Sequence, residues 1–356
     1  MTTLTQTPAE AATSVFPMSP RGPLSSRIMQ ILEEPPAQTP ADIDLSQEVQ
    51  AAVDAAAPTS IVRDDDIQLS LFVLYSLHYG SFPDVADDWE WQPFLISARG
   101  TLERAFEDEL RATVAVPQTP EPRRSVVAAT LAELTAIETG PSLSRFVSKS
   151  ATQEQLVEFL VQRSVYTLRE ADPHSWAIPR LTGRSKVALV EIQADEYGGG
   201  RHERMHSEIF ARTMRGVGLD STYGRYVENV PAITLASLNL MSMFGLNRRL
   251  RGAIAGHLAA FEMTSSIPNL MYGNGFRRLG YDASVTAYFD EHVAADAVHE
   301  QIAAHDLAGA LAEDDPQLVG DIVFGASACL AVDGWAAAHM YDSWTNGGTS
   351  LRRPVS

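Results

Sequence analysis

The chain has 356 residues, 45% of them hydrophobic, and its 27 Lys and Arg against 45 Asp and Glu give a formal net charge of -18 at pH 7. That supports a substantial core, and it argues against nucleic acid and anionic membrane surfaces as partners, since both need a positive face. A single cysteine, Cys329 in the apolar run GASACLAV, rules out an internal disulfide and reads as a buried structural thiol in a reducing cytoplasm. The start, MTTLTQTPAEAATSVFPMSP, lacks a basic segment followed by an apolar one, so no secretory signal is expected. No uninterrupted apolar run approaches the ~20 residues that cross a bilayer, so no membrane span is expected.

Residues 1–60 are rich in Ala, Thr and Pro and read as a flexible N-terminal arm with one short helix, DLSQEVQAAVDAAA. Helical patterning begins at DDDIQLSLFVLYSLHYG, where acidic residues precede an apolar stripe. WEWQPFLISARGTLERAFEDELRATV continues it, PQTPEPRR is a loop, and SATQEQLVEFLVQRSVYTLREADP opens on a Ser/Thr cap. A long helix is expected across KVALVEIQADEYGGGRHERMHSEIFARTMRG, then four more apolar helical segments up to residue 345. The basic string NRRLRG at 247–252 reads as a solvated helix end. There is no sustained period-two alternation, glycine-rich phosphate loop, fixed repeat or heptad series. The expectation is an all-α protein: an arm (1–60), one helical domain (61–345) and a C-terminal tail (346–356).

The chemistry concentrates in DEHVAADAVHEQ, which puts His292, Asp296 and His299 at i, i+4 and i+7. At 100° per residue they stand within about 60° of one another on a helix. Glu170 ends the helix SVYTLRE, Glu196 and His206 belong to the next one, and Glu262 interrupts the apolar run GHLAAFEMTSS. A carboxylate in such a run is costly unless it is paired or binds a metal. Four helices each contributing inward donors form the arrangement of a dimetal carboxylate bundle, and mixed carboxylate and imidazole donors suit iron.

The order Glu170, Glu196, His206, Glu262, His292, Asp296, His299, with the strings DPHSWAIPR and VEIQADEYGGGRHERMH, resembles the haem-oxygenase-like diiron oxidases, and more narrowly their amine N-oxygenases of natural-product biosynthesis. The resemblance covers roughly residues 60–345. It implies a haem-oxygenase-like helical bundle without haem, two Fe(II) per chain, O2 as co-substrate and a homodimer. One iron would draw mainly on Glu170, His206 and His299, the other on His292 and Asp296, with Glu262 bridging. Glu196 is the extra carboxylate that tilts the implied reaction toward N-oxidation of a small amine or amino acid, lysine's side-chain amine being the leading candidate. Since no flavin or nicotinamide motif is present, a separate external electron donor is implied. Arg180 and Arg204 are candidates for holding a substrate carboxylate, and Tyr166 and Trp176 for lining the pocket.

Two other readings compete. One is a diiron oxidase that desaturates or fragments an aliphatic or amino acid. The other is a zinc hydrolase using His202-Glu203-Arg204-Met205-His206, the H-E-x-x-H pattern at 202–206. The zinc reading needs a third ligand. Ile209 and Arg212 occupy the positions of the extended motif, Glu228 is the remaining downstream candidate, and the preceding glycines Gly198–Gly200 weaken a regular helix. Glu196 and His206, ten residues apart, would diverge by about 80° on a regular helix, so a kink or π-bulge at these glycines is expected to bring them to one face.

Overall fold

The computed structural model describes residues 15–38, 43–137 and 140–355, leaving aside the side chains of 294–297. Among the described residues all regular structure is helical, as expected. The sequence reading of residues 1–60 as a flexible arm does not hold for their described part. Helix α1 (Pro23–Leu32) buries Leu24, Ile28, Met29 and Leu32, and α2 (Ser46–Ala56) buries Val49 and Ala56. Arg21 reaches Asp65 at 2.9 Å and donates to the carbonyls of Val227 and Val230. The Asp66 carboxylate accepts from the amides of Leu24 and Ser25 at 2.9 and 2.7 Å, so the exposed donors of the first turn of α1 are satisfied from another helix. The apolar spacing in PLSSRIMQIL was a visible signal that the Pro-rich surroundings masked.

Helix α3 (Asp65–Tyr79) starts where the acidic cluster placed it. Asp64 caps it, accepting from the Ile67 amide at 2.8 Å, and Gly80 at φ +59° ends it. Then follow α4 (Pro93–Thr113), α5 (Arg124–Thr135), α6 (Leu143–Lys149) and α7 (Gln153–Thr167), the last opened by a reciprocal Thr152–Gln155 cap. After the short α8 (Asp172–Ser175) come α9 (Gly183–Glu196), α10 (His206–Gly216) and α11 (Ala232–Leu246). Helices α12 (Arg251–Met263), α13 (Ser266–Arg278) and α14 (Ala283–Gln301) follow, and α14 continues through π-helical Ile302–Gly309 into α15 (Ala310–Asp314). The last helix is α16 (Val319–Thr345).

Helices α12 and α16 pack through small residues. A Cβ on Gly256 would overlap the Ile322 carbonyl, and one on Gly325 would overlap the backbone of Ala253. The two backbones therefore touch, which fixes the height of the end of α12, where Glu262 sits. The stretch Pro316–Thr345 is long and apolar enough to cross a membrane by length and composition, and 61% of its apolar window is buried inside this fold. The segment after Thr345 is docked: Ser350 donates to Glu158 from its amide and hydroxyl at 2.8 and 2.7 Å, and Asn229 holds the carbonyls of Arg353 and Pro354.

Candidate metal centre

Of the seven predicted donors, the side chain of Asp296 lies outside the described residues. The other six are brought together, each no more than 6% exposed. His292 and His299 project from one face of α14, two turns apart, as their spacing predicts. Glu262 is in the last turn of α12. Glu170 stands in the turn between α7 and α8, Glu196 is the last residue of α9, and His206 is the first of α10.

The six form two groups that share a member. Glu170, Glu196, His206 and His292 each offer an atom within 4.8 Å of the others, and so do Glu196, Glu262 and His299. Two donors bound to one ion at ~2.0–2.2 Å lie at most ~4.4 Å apart, so closure by a few tenths of an ångström completes either shell. Within the first group, His206 Nδ1 and Glu196 Oε2 are 2.9 Å apart, yet neither atom finds hydrogen-bond geometry with a partner among the described residues. Buried polar atoms normally find one. Here the two aim beside each other, as donors converging on a common ion do. Three buried carboxylates in one pocket also need compensating cations. The residues present therefore fit a metal, and their N and O donors without thiolate suit iron.

Outer partners orient the donors. His292 donates from Nδ1 to the Tyr288 carbonyl at 2.8 Å, which leaves Nε2 facing Glu170 at 3.6 Å. His299 donates from Nε2 to Asp195 at 3.1 Å, which turns Nδ1 toward Glu262 at 3.5 Å and Glu196 at 3.8 Å. The Tyr288 hydroxyl donates to both oxygens of Glu170, at 3.0 and 2.8 Å. Such contacts fix which imidazole nitrogen is offered to an ion. Burial opposes a charge on His299, but Glu262, Asp195 and Glu196 outweigh it and hold the imidazole up at about 9. Burial opposes ionisation of Glu170 too, and His292, His206 and Tyr288 outweigh it, leaving the carboxyl below its usual range. In the absence of an ion, protons on the imidazoles balance the carboxylates, and metal loading would displace them.

The HERMH string is not a zinc motif in this fold. The expected single helix over Glu196 and His206 is broken completely: Gly198, Gly199 and Gly200 all have positive φ, at +69°, +59° and +79°. Residues His202–Arg204 form a short 3-10 turn, and α10 begins only at His206. His202 and Glu203 are exposed, and Glu228 pairs with Arg352 at 3.1 Å and belongs to neither donor group. No kink or π-bulge reconciles Glu196 with His206. A closed loop does so, in which a Cβ on Gly198 would overlap the backbone of Arg204 and Met205. The π-helical segment lies elsewhere, directly after α14.

The distribution of donors also differs from the one the resemblance implied. His299 groups with Glu262, not with Glu170; His206 and His292 face each other with ring centroids 4.5 Å apart; and Glu196, not Glu262, is shared. A void of about 10 Å³ opens among Glu170, Glu196, Glu262 and His292. Tyr166, Phe261 and Ser265 wall it and also wall a cavity of about 310 Å³ between α7, α11, α13 and α16. Tyr166 thus lies where expected. Trp176 lines a separate surface pocket with His78 and Tyr197. Arg180 donates to the carbonyls of Trp176 and Leu246, and exposed Arg204 faces Glu291 at 3.9 Å, so neither arginine enters the large cavity. The charged residues that do are Arg163 and Asp333. Sequence reasoning missed them, along with Tyr288 and Asp195. For Arg163 and Asp333 the local signal was a charge within an otherwise apolar helical run, the signal already used for Glu262.

Residues 157–334, half of the chain, match a family described as iron-containing redox enzymes. The matched stretch contains all seven predicted donors. A nitrosourea synthase of Streptomyces achromogenes subsp. streptozoticus is 29% identical over 167 residues, which cover 46% of this chain and 35% of that protein. This chain therefore matches about a third of the length of that relative.

Proposed function

This chain belongs to the iron-containing redox enzymes, and from that premise we propose that it is a diiron, O2-dependent oxygenase that oxidises the nitrogen of a small amino-acid-type amine. The observation that carries the dinuclear reading is the place of Glu196 in both donor groups: a carboxylate with one oxygen toward each group is what two neighbouring ions require. Oxidation at nitrogen is supported by the similarity to a protein named for making a nitrosourea, a compound with an oxidised nitrogen. Iron held by these six residues, with Asp296 as a further candidate, would supply the activation of O2.

The residues of the chain contribute positioning and shielding. Tyr288 keeps a hydroxyl proton on the Glu170 carboxylate edge and holds it toward His206 and His292. Asp195 and the Tyr288 carbonyl hold the imidazole protons of His299 and His292 away from the ion side. Tyr166 and Phe261, packed edge to face at 5.5 Å, form an apolar screen between donor cluster and large cavity. Turnover needs electrons from outside the chain, and a separate reductant is part of the proposal.

The test is anaerobic loading with Fe(II), iron analysis, then O2 addition with a panel of amino-acid amines and mass spectrometry of the products. About two irons per chain and a product that keeps every carbon and gains oxygen on nitrogen are expected. Loss of two hydrogens or of a carbon fragment would move the assignment to a desaturating or cleaving oxidase. One zinc per chain with indifference to O2 would remove it altogether.

A further inference from the structure

The void of about 10 Å³ among the donors has a second polar wall, made by His174 of α8 and Gln193 of α9. Both residues are buried, and neither belongs to a donor group. The Gln193 side-chain nitrogen donates to the Ala171 carbonyl at 2.9 Å and to the Ser175 hydroxyl at 2.6 Å. A carbonyl can only accept, so this amide cannot be turned round. The hydroxyls beyond it fix it further. Tyr197 donates to the Asp172 carboxylate at 2.7 Å, so it accepts from Ser175 at 2.9 Å, and Ser175 in turn accepts from Gln193. Asp172, Ser175 and Tyr197 line the surface pocket at Trp176, so the chain of hydrogen bonds runs from that pocket to the wall of the void. What remains is the Gln193 carbonyl oxygen, buried with no partner among the described residues. His174 is left with a free atom in the same way. Its Nε2 lies 3.2 Å from His257 Nδ1, and Phe261 packs against both rings, with centroids 6.2 and 6.0 Å away, which confines their planes. Burial keeps both imidazoles neutral, His174 at about 4, so one hydrogen lies in their contact. The other nitrogen, His174 Nδ1, is buried with no partner among the described residues.

Two orphaned polar atoms in one wall are costly unless a ligand satisfies them. A space of ~10–15 Å³ holds one water. We propose that Gln193 and His174 hold a single-oxygen ligand at the metal centre, a water or hydroxide that donates to the Gln193 carbonyl and accepts from His174 Nδ1. His257 is then the donor in the histidine pair, which leaves the hydrogen of His174 on Nδ1. The wall stands on the void and the two orphaned atoms; the iron beside it rests on the proposed function. An oxygen ligand held there is offered hydrogen bonds on the α8–α9 side, while Tyr166 and Phe261, on the wall shared with the large cavity, screen it with apolar rings. Ser175 is a positioning residue, since its hydroxyl acts only through the Gln193 amide.

The experiment has two parts, both on the iron-loaded full chain. The first is a crystal structure, in which one solvent oxygen should lie within hydrogen-bond distance, ~3.2 Å, of both Gln193 Oε1 and His174 Nδ1. The second is fluoride titration of the Fe(III)-loaded chain, followed by visible absorption. Fluoride accepts a hydrogen bond as hydroxide does, but it has no hydrogen to give to Gln193. In His174→Phe, which removes the donor, fluoride should bind roughly 10-fold more weakly. In Gln193→Leu, which removes the acceptor that favours water over fluoride, it should bind roughly 10-fold more tightly. Ser175→Ala should shift the affinity in the direction of Gln193→Leu, by less. A merely structural role would not move the two variants in opposite directions, and the crystal structure of the native chain needs no variant to fold. If the void of the iron-loaded chain holds no solvent oxygen, or if His174→Phe and Gln193→Leu bind fluoride as the native chain does, the proposal is overturned. The products formed on adding O2 and amines separate it from the proposed reaction. Solvent in the void with a desaturated or cleaved product leaves the site standing and removes N-oxidation. N-oxidation by a chain whose void holds no solvent does the reverse.

Discussion

The donor cluster is assembled in two ways. His292, His299 and Glu262 come from regular helices, α14 and α12, and the glycine contact between α12 and α16 sets the height of Glu262. Glu170, Glu196 and His206 come from helix ends, and a turn or a glycine loop decides where each points. The first half inherits its geometry from the 3.6-residue period; the second depends on three left-handed glycines and a loop closed on itself. A helix places donors in register with one another, while a loop can join the end of one helix to the start of another, and that junction creates the shared Glu196.

Glu196→Ala tests the joint between the halves and should have the largest effect. Iron content after anaerobic loading should fall from about two per chain to well below one, because both groups lose a donor. Glu262→Ala should remove no more than one. Equal losses in the two variants would show that Glu196 is not shared.

Next come the two kinds of glycine. Gly256→Val places side chain against the Ile322 backbone, where overpacking costs ~1–3 kcal/mol or more, so the melting temperature of metal-free and metal-loaded protein should fall together. Gly198→Ala combines a positive φ with overlap on Arg204 and Met205. It should lower iron affinity ~10–100-fold, as loss of ligand orientation does, with a smaller change in the melting temperature of the metal-free protein. If Gly198→Ala melts the fold and leaves iron affinity intact, the glycine loop serves stability rather than the site.

A smaller effect is expected at the seam between the halves, where His174 of α8 and His257 of α12 lie with Nε2 and Nδ1 3.2 Å apart. Burial pulls His174 from 6.5 down to about 4, against a slight opposing pull from Glu170, and it lowers His257 as well. Between these values the unfolded chain binds protons that the folded chain refuses. The stability linked to neutral His174 is therefore present above about 6.5 and lost as the pH falls toward 4. Thermal melts across that window should show a shallower decline for His174→Asn than for the native chain. An identical decline would mean that His174 is not what titrates.

The smallest effect is expected from His202→Ala, which should change neither metal content nor melting temperature, because His202 is exposed on the loop. Loss of metal in this variant would return the HERMH string to the zinc reading.

The sequence alone determined the helical class, the start of α3 at its acidic cap, and the common face of His292 and His299, because capping and periodicity act within one helix and are written in consecutive residues. It also marked Glu262, since a charge inside an apolar run declares its own cost. The packing of α1 was written there too, at helical spacing, but Arg21 and Asp66 bind it to residues that only folding brings near. Tertiary structure alone decided that Glu196 serves both groups, that His299 sides with Glu262, and that Arg163 and Asp333 meet in one cavity from helices 170 residues apart in sequence. Those facts depend on how helix ends and helix faces meet across the core, and no local pattern records that.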